Sequence, residues 1–176
     1  MPPVTNPYPK TWSTLGGFRY RSALSLIRPL GAVTARLGED GDYVLDRDFD
    51  ASLLVDGEEV ALTAPRELIT DLTSVPLPFR GFVGRVGPWL EAAILHDYLY
   101  VAWETVPGKE PQPRDRLFAD RVMLLAMERA RVGWLRRWLI YGSVRLFGAG
   151  AYRRRSDRIF ADLDAPAYDT PLVLPT

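Results

Sequence analysis

Proline fixes φ at about −65° and has no backbone N–H to donate, so it is expelled from helix interiors and central strands. Fifteen prolines in 176 residues therefore mark where regular structure cannot run. Pro2, Pro3, Pro7 and Pro9 fall in residues 1–17, which also lack a hydrophobic period; this predicts an extended arm. Pro166, Pro171 and Pro175 predict a similar tail over residues 165–176. Residues 18–164 are left as one domain, long enough to bury a core without staples. Both arms are expected to add little to that core and to order against a neighbouring subunit.

Within the domain, prolines and side-chain pattern agree. Tyr43, Leu45, Phe49 and Leu53 are separated by polar residues, Asp56-Gly57 supplies a hairpin turn, Val60 and Leu62 follow, and Pro65 closes the strand. This predicts an antiparallel meander of two to four strands over residues 43–70. Residues 18–37 carry no period that separates strand from helix. After Pro78 the spacing turns helical. Pro88 suits a first turn, and Leu90, Ala93, Ile94, Asp97 and Val101 recur at helical intervals over residues 89–103. Three prolines and a glycine make residues 105–113 a loop. A second helix is expected over residues 114–131, with Leu117, Met123, Leu124 and Met127 as its apolar stripe. Gly133 separates a third, residues 134–147, and residues 152–163 leave room for a fourth. The expected fold is α+β: a small antiparallel meander, then three or four helices, with extended arms at both ends.

Composition narrows the function classes. Lys and Arg number 22, as do Asp and Glu, so no global field draws the chain to nucleic acid or membrane. Arg153-Arg154-Arg155 is a weak nucleic-acid footprint in so balanced a chain, and nucleic acid is not an expected partner. The chain has no cysteine, which excludes disulfides, thiolate metal sites and cysteine nucleophiles. That suits a reducing host cytoplasm or a virion assembled there. No signal-peptide pattern is visible and no apolar run is long enough to span a bilayer. Residues 134–147 are apolar, aromatic and studded with arginine. They fit an interfacial helix with Trp and Tyr at headgroup level, or a core helix whose arginines reach for solvent; the second is the more ordinary outcome. Gly-rich phosphate loops, Gly-x-Ser-x-Gly and His-Glu-x-x-His are all absent.

Three features carry chemistry. His96 is the only histidine; it lies mid-helix, with Tyr100 one turn on and sharing its face, and Asp97 on the neighbouring flank. A lone helical histidine is more often structural than functional. Asp120 lies on the stripe that should be buried, where a carboxylate needs donors nearby. An antiparallel helix pair would bring it opposite His96 and Tyr100, whose imidazole and phenol are suitable. The arrangement is a His–Asp bond pinning two helices, or the core of a site. Asp71 opens the polar turn Thr70-Asp71-Leu72-Thr73-Ser74-Val75-Pro76. Such a turn caps a helix or closes an Asx-turn in most proteins, but its oxygens with the Asp97 carboxylate also suit a hard cation.

Taken in order, Asp71-x-x-Ser74-x-Pro76, Ala92-Ala93-x-x-His96-Asp97-x-x-Tyr100 and Ala119-Asp120-x-x-x-x-x-Ala126-Met127 resemble an uncharacterised family encoded mainly by phages and prophages. The resemblance covers residues 40–148, including Arg145-Leu146-Phe147-Gly148, and brings no established activity. A weaker resemblance is to the compact bacterial and fungal secreted phospholipase A2 enzymes, which carry a calcium loop, a helix with His-Asp-x-x-Tyr and a later helical Asp. It implies His96 as general base for a water, Asp120 as the carboxylate that orients it, Tyr100 as the phenol that steadies Asp120, and Asp71 with Asp97 as calcium ligands. The sequence departs from that pattern: Leu72 and Thr73 stand where small residues are expected, and the paired cysteines are missing.

Two functions follow, from different classes. One is a calcium-assisted, His-dependent ester hydrolase acting on lipid or cell-envelope material. The other is a non-enzymatic component of a phage, tail or gene-transfer particle, held to other subunits by its arms, in which the polar cluster only staples helices. They differ in one observable: a base must open on a cleft that water and substrate can reach, whereas a staple is sealed by aliphatic side chains.

Overall fold

A computed structural model describes residues 6–27, 43–70, 87–156 and 159–163. Among the described residues six short strands form two three-stranded antiparallel sheets rather than one meander. The first joins β1 (Leu15–Tyr20), β4 (Phe49–Val55) and β5 (Glu58–Ala64), with β4 central; the second joins β2 (Leu26–Ile27), β3 (Tyr43–Leu45) and β6 (Ile69–Thr70), with β3 central. Tyr43–Leu45 and Phe49–Val55, which one alternating pattern joined, thus belong to different sheets.

The hairpin between β4 and β5 forms where expected. Val55 pairs with Glu58 across a two-residue turn, and Asp56 and Gly57 have φ of 51° and 90°. Positive φ at both central residues is the geometry whose twist matches the flanking strands. Asp56 also accepts hydrogen bonds from the backbone N–H groups of Ser13 and Thr14, at 2.9 and 2.7 Å. The register of β1 on β4 shifts between Gly16 and Arg19. There Gly17 has φ of 57°, and a Cβ would meet Leu54 Cγ at 2.7 Å, so a side chain is excluded twice over.

Among the described residues three helices follow: α1 (Leu90–Thr105), α2 (Pro113–Arg129) and α3 (Trp134–Arg153). Pro113 takes the first turn of α2, where its missing N–H costs nothing. Helix α1 is the hub, touching α2, α3, β5 and β6. Ala92, Ile94, Leu95, Leu99, Ala102 and Trp103 are buried on different sides of it. The stripe read from the sequence is mostly its less buried side, since Leu90, Ala93, Asp97 and Val101 are only half-buried. On α2 the buried face is Phe118, Ala119, Asp120, Val122, Met123, Ala126 and Met127, and Leu117 and Leu124 are half-buried beside it.

Two further expectations are corrected. The optional fourth helix is absent among the described residues. Helix α3 runs on to Arg153, past the expected end at 147, because no proline stops it. Beyond it Phe160 bridges Leu68, and the N–H of Ala161 donates to the Glu67 carbonyl at 2.8 Å. Secondly, residues 6–14 form no strand or helix, yet they do contribute to the core. Tyr8 is buried and its hydroxyl donates to the Leu99 carbonyl of α1. Trp12 packs edge-on against Phe118, ring centroids 6.1 Å apart. An amphipathic ring gives even a proline-rich segment enough apolar area to hold it down. Residues 165–176 lie outside the described residues.

Candidate active site

The three helices meet at Asp120, which has no exposed surface. Its Oδ1 lies 2.9 Å from His96 Nε2 and accepts a hydrogen bond from the Tyr100 hydroxyl at 2.7 Å. Its Oδ2 accepts one from Arg145 Nη1 at 2.6 Å. His96 and Tyr100 reach it from α1 because i and i+4 share a helix face, and their rings stack obliquely, centroids 4.0 Å apart. Arg145 comes from α3. The contact expected between His96, Asp120 and Tyr100 is therefore present.

Burial by itself would raise the carboxyl pKa of Asp120. The hydrogen bond from His96, with the ring's charge when it is protonated, and after it the bonds from Arg145 and Tyr100, outweigh it, so the group is held below the ordinary carboxylate range. Burial, and then the negative charge of Asp120, push the Tyr100 phenol upward. Both effects keep one assignment: an ionised Asp120 that only accepts, and a protonated Tyr100 that donates. Nε2 of His96 must then carry a proton. In the neutral ring this leaves Nδ1 as an acceptor on the opposite edge.

His96 is one wall of a cleft of about 450 Å³, whose other walls include Thr70, Asp97, Val144 and Phe147. The imidazole is tucked in, with 8% of its side chain exposed, and among the described residues it has no polar partner besides Asp120. Asp97 lies in the same cleft on the neighbouring flank, and its Oδ2 accepts a hydrogen bond from Thr70 Oγ1 at 2.7 Å. Asp71 lies outside the described residues, and so does its expected convergence with Asp97. Among the described residues no group of three or more His, Asp or Glu side chains comes together to hold a metal ion.

Sequence reasoning missed two residues of this cluster. It sought donors for Asp120 in the imidazole and the phenol and overlooked a countercharge. Arg145 is the only charged residue between Trp138 and Tyr152, the same kind of anomaly on an apolar helix that singled out Asp120. Gly148 is the other. A Cβ there would meet the Tyr100 hydroxyl at 2.6 Å, so its missing side chain is the space that lets the phenol reach Asp120.

No curated protein and no solved structure matches the chain. A family match does exist, and it spans β4 through most of α3, taking in His96, Asp97, Tyr100 and Asp120 and ending one residue before Arg145. It covers residues 48–144, more than half of the chain, and on that basis this protein belongs to the family described as "Protein of unknown function (DUF1353)".

Proposed function

We propose that this protein is a hydrolase in which His96 is the general base for an attacking water. One observation carries the reading: the ring is anchored at Nε2 to a buried, ionised carboxylate, and the same residue is a wall of an open cleft. A staple needs only the first half of that arrangement. In a base, the carboxylate fixes the tautomer and stabilises the imidazolium formed when Nδ1 takes the proton. Arg145 and Tyr100 act as positioning residues, holding Asp120 ionised and aimed at Nε2. The cleft offers Val144 and Phe147 as apolar walls beside the polar Thr70–Asp97 pair. Such a lining suits an ester with an apolar tail, in lipid or cell-envelope material.

Calcium belongs to this proposal through the resemblance to phospholipase A2. Asp97 is the described residue that would contribute an oxygen, and bound calcium would polarise the ester carbonyl. The described residues alone do not make a full cation site. The alternative, an accessory component of a phage particle, drew its support from the arms. Residues 6–14 are engaged with their own core, and that support is reduced accordingly.

The test is an assay of wild type and His96→Ala against phospholipids and envelope esters, with and without calcium. Loss of a positioned base is worth about 10²–10⁴-fold in rate. We expect His96→Ala to lose that much while keeping its helical circular dichroism. Equal hydrolysis by both proteins, or none by wild type across the panel, would overturn the reading. If Asp97 holds calcium, the ion raises the melting temperature of wild type and not of Asp97→Asn.

A further inference from the structure

Helix α3 is a 20-residue helix with only Ile140, Ser143 and Tyr152 buried. The core-helix reading of this segment is therefore corrected: most of its apolar surface faces outward. Trp134 is 70% exposed, Leu135 58%, Trp138 50%, Leu139 41% and Leu146 76%. At 3.6 residues per turn these five side chains fall within about 140° of arc; Trp134, Leu135, Trp138 and Leu139 cover the first two turns and Leu146 lies two turns on, while Arg145 in the same arc turns inward to Asp120. Isolated exposed apolar residues need no explanation, but a stripe of two tryptophans and three leucines on one face marks a contact surface.

Charge indicates what the stripe meets. Residues 134–155 hold six arginines and no acidic residue. Arg145 is bound to Asp120, Arg137 to Glu128 at 3.3 Å and Arg155 to Glu110 at 3.6 Å. Arg136, Arg153 and Arg154 have no carboxylate partner among the described residues; Arg136 instead lies over the Trp89 ring at 4.9 Å. A second copy docked by the same stripe would bring like charges together across a closed interface, which opposes association. An anionic lipid surface meets both demands at once, taking the indoles and leucines at the headgroup–acyl boundary and the guanidiniums at the phosphates. No helix of the described residues is long and apolar enough to cross a membrane, so the contact is lateral.

We propose that the outer face of α3 docks on an anionic bilayer surface. Phe147, 59% exposed, falls outside that arc, on the side of α3 that lines the His96 cleft with Val144 and Ala151. The docking itself stands independently of the hydrolase reading, since it rests on α3 alone.

The full chain should be mixed with phosphatidylcholine vesicles, with and without phosphatidylglycerol, and bound protein separated by flotation. We expect binding to the anionic vesicles, weakened by salt, with a blue shift of tryptophan emission. Trp138→Ser combined with Leu146→Ser should weaken it by at least about tenfold. Arg153→Ala combined with Arg154→Ala should abolish the preference for phosphatidylglycerol. All of these side chains are exposed, and an unchanged melting curve confirms that each variant is folded. Absence of vesicle binding by folded wild type overturns the proposal. So does sedimentation of wild type as a dimer that Trp138→Ser with Leu146→Ser converts to monomer, because a second copy then covers the stripe. His96→Ala should float like wild type, and wild type that binds vesicles without ester hydrolysis would sink the hydrolase reading and leave the docking intact.

Discussion

Asp120 concentrates most of what single residues decide in this protein. Its folded pKa is depressed, so its stabilising contribution is fully present above the unfolded carboxylate value, about 3.9, and is lost as pH falls through the lower folded value. Asp120→Asn should therefore cost about 3 kcal/mol in urea unfolding at neutral pH, and the gap to wild type should close in strong acid. A gap constant across that range would mean that Asp120 is not ionised in the native state. Gly148 and Tyr100 form a second testable pair. Alanine usually gains about 1 kcal/mol over glycine in a helix, but here its Cβ would lie 2.6 Å from the Tyr100 hydroxyl and 3.4 Å from the ring. Gly148→Ala should destabilise wild type by about 1–2 kcal/mol. In a Tyr100→Phe background the oxygen is gone, and the same change should be neutral or stabilising. Additive effects in that double-mutant cycle would show that the hydroxyl does not fill the space beside Gly148. At this scale the sequence was legible wherever a polar group broke an apolar pattern, as His96 and Asp120 do. Gly148 was illegible because a missing side chain leaves no such signal; its role exists only when two helices are brought together.

Among elements, legibility followed local chemistry. The Asp56-Gly57 turn and the end of β5 before Pro65 are fixed by a residue or two each and lie where the sequence puts them, and α2 starts at Pro113, one residue before the expected Arg114. The face of α1 was misread because a helix buried on nearly every side has no single apolar stripe to find. The chain after α3 was misread for a different reason: Phe160 is committed by Leu68, far away in sequence, and no local pattern encodes that bridge. The N-terminal segment shows the same limit. Its prolines do deny it regular structure, but Tyr8 still donates to Leu99 and its ring lies 4.9 Å from Lys109 Nζ. Tyr8→Ala should therefore lower the stability of the domain by about 3 kcal/mol, and Tyr8→Phe by about 1 kcal/mol. Unfolding midpoints unchanged by either would return residues 6–14 to the status of a free arm.

At the scale of the molecule, the site depends on three helices that are not equally secured. Helix α1 touches elements of both sheets as well as the other two helices, so its backbone can open only when the domain does. Helix α3 is buried at just three residues, and it is tied inward by Arg145 on Asp120 and by Trp103 Nε1, which donates to the Tyr152 carbonyl at 3.0 Å. An element with few buried contacts opens by itself, below the global unfolding free energy. Native-state hydrogen exchange should accordingly show the α1 amides, including those around His96, exchanging only through global unfolding, and the α3 amides exchanging faster. Asp120→Asn removes the charge that holds Arg145, so it should speed exchange along α3 by more than it lowers global stability. Helix α1 should then slow or quicken only in step with the unfolding equilibrium. Equal protection of α1 and α3 in wild type would show that α3 is an integral part of the core. In that case its outward apolar stripe would not belong to a separately mobile element, and the Asp120–Arg145 bond would be one of many fastenings rather than the one that couples α3 to the His96 cleft.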